Sequence, residues 1–261
     1  MNLFYHPYHL VTLSPWPLLC SLSFINLMMG VVKWLYTHDN LLMFNGYLLL
    51  VIMLFQWWRD VIRESTYQGN HTSEVISGLR LGMVLFILSE VMFFLSFFWT
   101  YFHMFLSPSV EFGGVWPPKE LIVFNPYNIP LLNTLILLSS GVFITWCHYS
   151  ILSGNYDSSI YSILMTIGLG YLFVFFQYIE YNESYFSMSD SVYGSIFFLV
   201  TGFHGLHVII GALFIFICWK RLSLKHYSFT HHFGFEASSW YWHFVDVVWL
   251  FLYIFIYWLS Y

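Results

Sequence analysis

One carboxylate, Glu90, interrupts the apolar run 79–106. At a helical rise of about 1.5 Å per residue it lies roughly 16 Å inward from Leu79, near the middle of a hydrocarbon layer about 30 Å thick. A charge is costly there, so Glu90 is either a functional acid or a carboxyl hydrogen-bonded to a facing helix. Histidine offers a second chemistry: His204 and His207 in GFHGLH, and His243 with Asp246 in WYWHFVD, are both spaced i, i+3. One helical turn points each pair roughly the same way, and two such helices carry enough nitrogen and oxygen ligands for iron, copper or zinc. The competing role is that of intramembrane polar residues holding two helices together. The nearby Gly202, Gly205 and Gly211 and the absence of an accompanying thiolate favour that role, and no metal is expected on these residues. A third group, Trp57, Trp58, Arg63, Glu64 and His71, shares a membrane side with Arg221, Lys225 and His226. Paired charges, indoles and imidazoles at one leaflet suit phospholipid headgroups, and ordinary interfacial anchoring explains the same residues.

The elements that position these groups follow from composition. Hydrophobic residues are 59% of the 261 and charged residues 8%, and the mean hydropathy is +0.70. That balance excludes a water-soluble globular domain, and the long continuous apolar runs exclude a membrane barrel, leaving an all-α membrane protein. Seven transmembrane helices are expected, at 16–36, 41–58, 79–106, 131–152, 158–181, 192–219 and 238–257, in a single integral membrane domain covering 1–261. The short THDN link makes the first two spans an antiparallel hairpin. GLRLG at Gly78 to Gly82 is a small-xxx-small pattern that permits close helix contact.

With seven spans, the side of the amino terminus holds Arg59, Arg63, Arg80, Lys220, Arg221 and Lys225, against Lys33 and Lys119 opposite. By the positive-inside rule the amino terminus faces the cytoplasm or a mitochondrial matrix. Asp39, Glu111, Glu120, Glu180, Glu183 and Asp190 fall on the other face. The first fifteen residues hold no Lys or Arg and no signal-type apolar core, so neither a secretory signal nor a transit peptide is expected. Cys20, Cys147 and Cys218 are too scattered for a thiolate metal centre or a disulfide framework. The motifs of soluble hydrolases, nucleotide-binding proteins and zinc proteases are absent, and the net charge of −5, without a basic tract, gives no reason to expect nucleic acid.

Several long segments together resemble subunit 3 of the mitochondrial haem-copper cytochrome c oxidases. They are YHLVTLSPWP at Tyr8 to Pro17, QWWRDVIREST at Gln56 to Thr66, LFILSEVMFF at Leu85 to Phe94, PLLNTLILLSSGV at Pro130 to Val142, VYGSIFFLVTGFHGLHVIIG at Val192 to Gly211, and HHFGFEASSWYWHFVDVVWLFLYIFIYW at His231 to Trp258. The resemblance implies a hairpin of spans 1 and 2 splayed from a five-helix bundle of spans 3 to 7, with a lipid-filled V-shaped cleft. It implies a non-catalytic subunit of a proton-pumping oxidase, carrying no cofactor, with haem a, haem a3, CuA and CuB in partner subunits. Subunit 1 is the main implied partner, with subunit 2, accessory subunits and anionic and zwitterionic phospholipids. The family's lipid contacts match Trp58, Arg63, Glu64, His71, Arg221, Lys225 and His226, and Glu90 matches its buried carboxyl. Support of proton uptake on the matrix face falls to His6 and His9, because imidazole titrates near neutral pH. The implied location is the mitochondrial inner membrane, amino terminus in the matrix and carboxyl terminus in the intermembrane space. The sequence departs from the family pattern at His148-Tyr149, where paired histidines are usual, around Ser184 to Phe186, where a proline is missing, and at the YWLSY ending.

Overall fold

Apolar runs this long satisfy their backbone as helices, and a computed structural model, describing residues 6–110 and 113–261, contains seven helices long and apolar enough to cross a membrane. Glu111 of the acidic face lies outside the described residues. The chain divides into two compact units, Met1–Leu79 and Arg80–Tyr261.

The first unit is built on α1 (Trp16–Thr37) and α2 (Leu41–Thr66). Prolines open α1 where their missing N–H is harmless, and His38 closes it in the left-handed region at φ 57°, its N–H bonded to the Trp34 carbonyl. In the link, Lys33 pairs with Asp39, whose carboxyl also accepts the Leu41 N–H. These bonds hold the Asp39 carboxyl below its ordinary pKa, with the Lys33 contact as the main cause. The two helices cross backbone against backbone. A Cβ at Gly30 would lie 2.4 Å from Met43 Cα, and one at Gly46 2.5 Å from Leu27 N. Helix α2 continues eight residues past Trp58, because Arg59, Asp60, Arg63 and Glu64 leave the apolar layer without ceasing to be helix formers. Asp60 anchors that extension, taking the Trp16 indole N–H at 2.6 Å and the Arg59 guanidinium at 3.1 Å.

Helix α3 (Ser73–Leu106) starts six residues before Leu79, with the Thr72 hydroxyl accepting the Val75 N–H and Glu74 in its first turn. Around the GLRLG pattern nothing packs closely: a Cβ at Gly78 or Gly82 would meet no described atom within 4 Å. The rest of α3 belongs to the second unit with α4 (Ile129–Leu152), α5 (Tyr156–Asn182), α6 (Val192–Ser223) and α7 (Phe233–Leu252). The chain continues from α7 as a π-helical turn, Tyr253–Trp258. Gly154 at φ 74° and the Asn155 cap on Ser158 turn α4 into α5, and Ser191 caps α6 through the Gly194 N–H. Helix α7 starts at Phe233, five residues before the sequence boundary, since FGFEA is helix-competent although it carries Glu236.

The core of this unit is organised on Trp242, fully buried, whose indole N–H donates to Ser140 Oγ at 2.8 Å. Its ring fits because Gly170 and Gly211 have no side chain: a Cβ would lie 2.7 Å from the ring at the first and 3.0 Å at the second. Of the three glycines expected to bring helices together, Gly211 alone does so tightly; Gly205 faces open space and Gly202 meets only the Tyr181 hydroxyl at 3.9 Å. Glu180 is not a surface acid. It is 1% exposed in α5 and accepts the Tyr257 O–H at 2.6 Å.

Candidate functional site

The intramembrane histidines do not converge on a shared point. His204, fully buried, has Nε2 at 3.2 Å from the Val245 carbonyl of α7, and its ring packs beside Phe173 and Trp249. His207 faces α3 instead: Nε2 is 3.0 Å from Glu90 Oε2, and Nδ1 is 2.6 Å from the Phe203 carbonyl. Three helical residues turn the side chain through about 300°, and the remaining 60° suffices to send the two imidazoles to different neighbours. On α7, His243 Nδ1 is 3.7 Å from Asp246 Oδ2, and the Asp246 carboxyl also lies against Gly141 of α4, 3.0 Å from where a Cβ would be. His204 and His207 each bond to a neighbouring helix, whereas His243 and Asp246 pair within α7. Glu90 is half-buried, among Phe94, Phe93 and Tyr241, which all pack on the His207 ring.

The residues expected to meet phospholipid belong to both units. In the first, Trp57, Trp58 and Arg63 are exposed, Arg63 leans on Asp60 at 3.8 Å, and Glu64 lies 3.9 Å from His9. His71 sits half-buried in the link to α3, and His6 is exposed and stacked on Tyr8. In the second, the Arg221 guanidinium lies over the Tyr227 ring at 4.6 Å, and Gly234 makes room for it, since a Cβ there would be 2.5 Å from Nη1. Lys225, at φ 57°, places Nζ 5.7 Å above the Tyr156 ring, and the His226 N–H closes the turn on the Arg221 carbonyl. Burial first, and then the Arg221 charge, hold the His226 imidazole below the usual histidine range. The same two causes lower His231, with His232 adding to them and Glu236 opposing. Burial pushes the Tyr227 hydroxyl well above the usual phenol range. Separately, α3 and α7 enclose an apolar groove of about 890 Å³ lined by Val91, Phe94, Phe98, Trp99, Phe251 and Phe255.

A further cluster was not anticipated from the sequence. His148 of α4, His232 and Glu236 bring one ligand atom each within 4.8 Å of one another. Arg80, expected only as an anchoring charge, clamps Glu236 with Nε at 3.0 Å and Nη2 at 2.9 Å from Oε2. The i, i+4 spacing in HHFGFE was a legible signal for half of it; the contribution of His148, 84 residues before His232, was not.

The family model for cytochrome c oxidase subunit III matches residues 6–261. The chain is 55% identical over 253 residues to cytochrome c oxidase subunit 3 of Paracentrotus lividus, covering 97% of each chain. It is 54% identical to that of Drosophila melanogaster and 53% identical to that of Salmo salar, over the same length and with the same coverage. The match runs through both compact units, and the chain belongs to the cytochrome c oxidase subunit III family.

Proposed function

We propose that this chain, a non-catalytic membrane subunit of cytochrome c oxidase without a redox centre of its own, shields the metal-bearing subunit 1 with helices and ordered phospholipid. The observation that carries this reading is how little of the first unit is covered by its own chain. Helix α2 buries Gly46 alone among its 26 residues, and α1 buries Cys20, Ser23 and Gly30. Surface that apolar is satisfied by acyl chains or by another membrane subunit. In the holoenzyme, electrons pass from cytochrome c to dioxygen through haem a, haem a3, CuA and CuB of partner subunits. Subunit 2 and accessory subunits complete its protein surroundings.

Trp58, Arg63, Glu64 and His71 on the first unit, and Arg221, Lys225 and His226 on the second, supply the charges, donors and indole that fix headgroups. The α3–α7 groove is of a size and polarity to take an acyl chain. The six-to-two excess of basic residues supports an amino terminus in the matrix and a carboxyl terminus in the intermembrane space of the mitochondrial inner membrane. On that matrix side His6 and His9 are assigned to gathering protons at the surface, and Glu90 to lining a lipid-filled route for oxygen rather than carrying pumped protons. The helix around Glu90 offers only Ser89 and Ser96 as further polar groups, and both hydroxyls donate to backbone carbonyls of their own helix.

Purified oxidase carrying Arg63→Gln or Arg221→Gln tests the lipid role. The expected result is less phospholipid retained per haem and a faster decline of turnover from an unchanged initial rate. Equal lipid content and equal durability in both variants would overturn it.

A further inference from the structure

His232 opens α7 with a fixed tautomer. Its Nδ1 is 3.0 Å from the Ser228 carbonyl, so Nδ1 carries the proton and, in the neutral ring, Nε2 carries the lone pair. That lone pair is aimed at 3.2 Å towards His148 Nε2 and at 3.3 Å towards Glu236 Oε1. His232 and Glu236 are buried and His148 is half-buried. Two acceptors, Nε2 and a carboxylate oxygen, therefore face each other at contact distance, and only a proton or a cation between them relieves the repulsion.

The spacing favours a cation. A tetrahedral metal with bonds of about 2.0–2.1 Å holds its ligand atoms about 3.3–3.4 Å apart. Two edges of the triangle already have that length, and the third closes from within 4.8 Å by rotation of a side chain. The surrounding contacts are those of a ligand set: a backbone carbonyl orients His232, and Arg80 orients the Glu236 carboxylate. Two imidazoles and one carboxylate, with a fourth position left for water, are the donor types that zinc takes.

We propose that His148, His232 and Glu236 bind a divalent ion of the zinc class, which ties the end of α4 to the start of α7. Such an ion has no redox chemistry, so it fastens helices and carries no electrons. The nearby Arg80 charge opposes the ion and makes the affinity moderate, so the site fills and empties with the free metal concentration.

The test uses the assembled oxidase, stripped of loosely held metal by a chelator and equilibrated with micromolar zinc chloride. Elemental analysis should find one more zinc per oxidase in the wild-type enzyme than in His148→Gln, with affinity lowered about tenfold or more in the variant. The half-exposed His148 is the chosen position because its replacement leaves the His232–Glu236 and Arg80–Glu236 contacts in place. Cryo-electron microscopy of the wild-type complex at the same zinc level provides a readout independent of any variant. Density about 2.0–2.2 Å from all three ligand atoms supports the site. Equal zinc content in the two enzymes, or an empty triangle in the zinc-treated complex, overturns it and leaves a proton as the bridging species.

Discussion

Glu90 of α3 and His207 of α6 share one hydrogen bond, Oε2 to Nε2 at 3.0 Å, across 117 residues of sequence. His207 Nδ1 already gives its proton to the Phe203 carbonyl at 2.6 Å, so a single further proton lies between Nε2 and Oε2, on one atom or the other. The pair is a polar fastening between two helices, in surroundings otherwise made of aromatic rings.

Glu90→Gln keeps a donor for His207 Nε2 and should leave steady oxygen consumption and most of the stability intact. Glu90→Leu or His207→Leu strands the remaining partner among apolar side chains, at a cost of about 1–3 kcal/mol. Thermal release of the chain from purified oxidase measures the difference. Loss of turnover in an assembled Glu90→Gln enzyme would instead make this carboxyl part of the reaction path.

Trp242 is bounded by Gly170 and Gly211 and tethered to Ser140, so its ring has no direction in which to retreat. Gly211→Ala should destabilise the second unit by about 1–3 kcal/mol through overpacking. Trp242→Phe should cost a similar amount through the lost N–H bond and lost contact. The double variant should cost less than the sum, because the smaller ring accepts the added methyl group; additive losses in thermal unfolding would contradict the contact.

In the hairpin the obstruction at Gly46 is the Leu27 backbone, which cannot rotate away. Gly46→Ala should therefore force α1 and α2 apart and raise proteolysis at the THDN link, while Gly69→Ala, which meets no described neighbour, should act only through its φ of 65°. Equal protease resistance of Gly46→Ala and the parent would refute the close crossing.

The segment between α6 and α7 should respond to acid. Folding holds His226 and His231 below the ordinary histidine pKa, so protonation costs stability. Their contribution is complete above about pH 6.5 and is lost as the pH falls through the lowered values. Hydrogen exchange of residues 224–232, corrected for its intrinsic pH dependence, should quicken between pH 7 and pH 5, and less so in a His226→Asn/His231→Asn variant. Unchanged protection across that range would contradict the burial of these rings.

The seven spans were legible because each is a continuous apolar run, whereas their ends were not. Hydropathy marks where side chains leave the lipid, and a helix stops only where its backbone bonds stop, so α2 runs on to Thr66 and α3 begins at Ser73. Glu90 stood out as a lone carboxylate, but its partner lies on another helix, where no local spacing points. Spacing misdirected for His204 and His207, which share a helical turn and serve α7 and α3 separately. The His232–Glu236 spacing was legible, whereas His148 and Arg80 read only as separate polar residues that the fold brings to that pair.

Detaching this chain from purified oxidase, while following haem absorbance, copper content and oxygen uptake together, tests the account most directly. The prediction is that haem and copper stay with the remaining subunits, that the initial rate persists, and that activity then decays faster than in the intact enzyme. Stoichiometric iron or copper leaving with the detached chain, or an initial rate that vanishes while the haems stay in place, would contradict it.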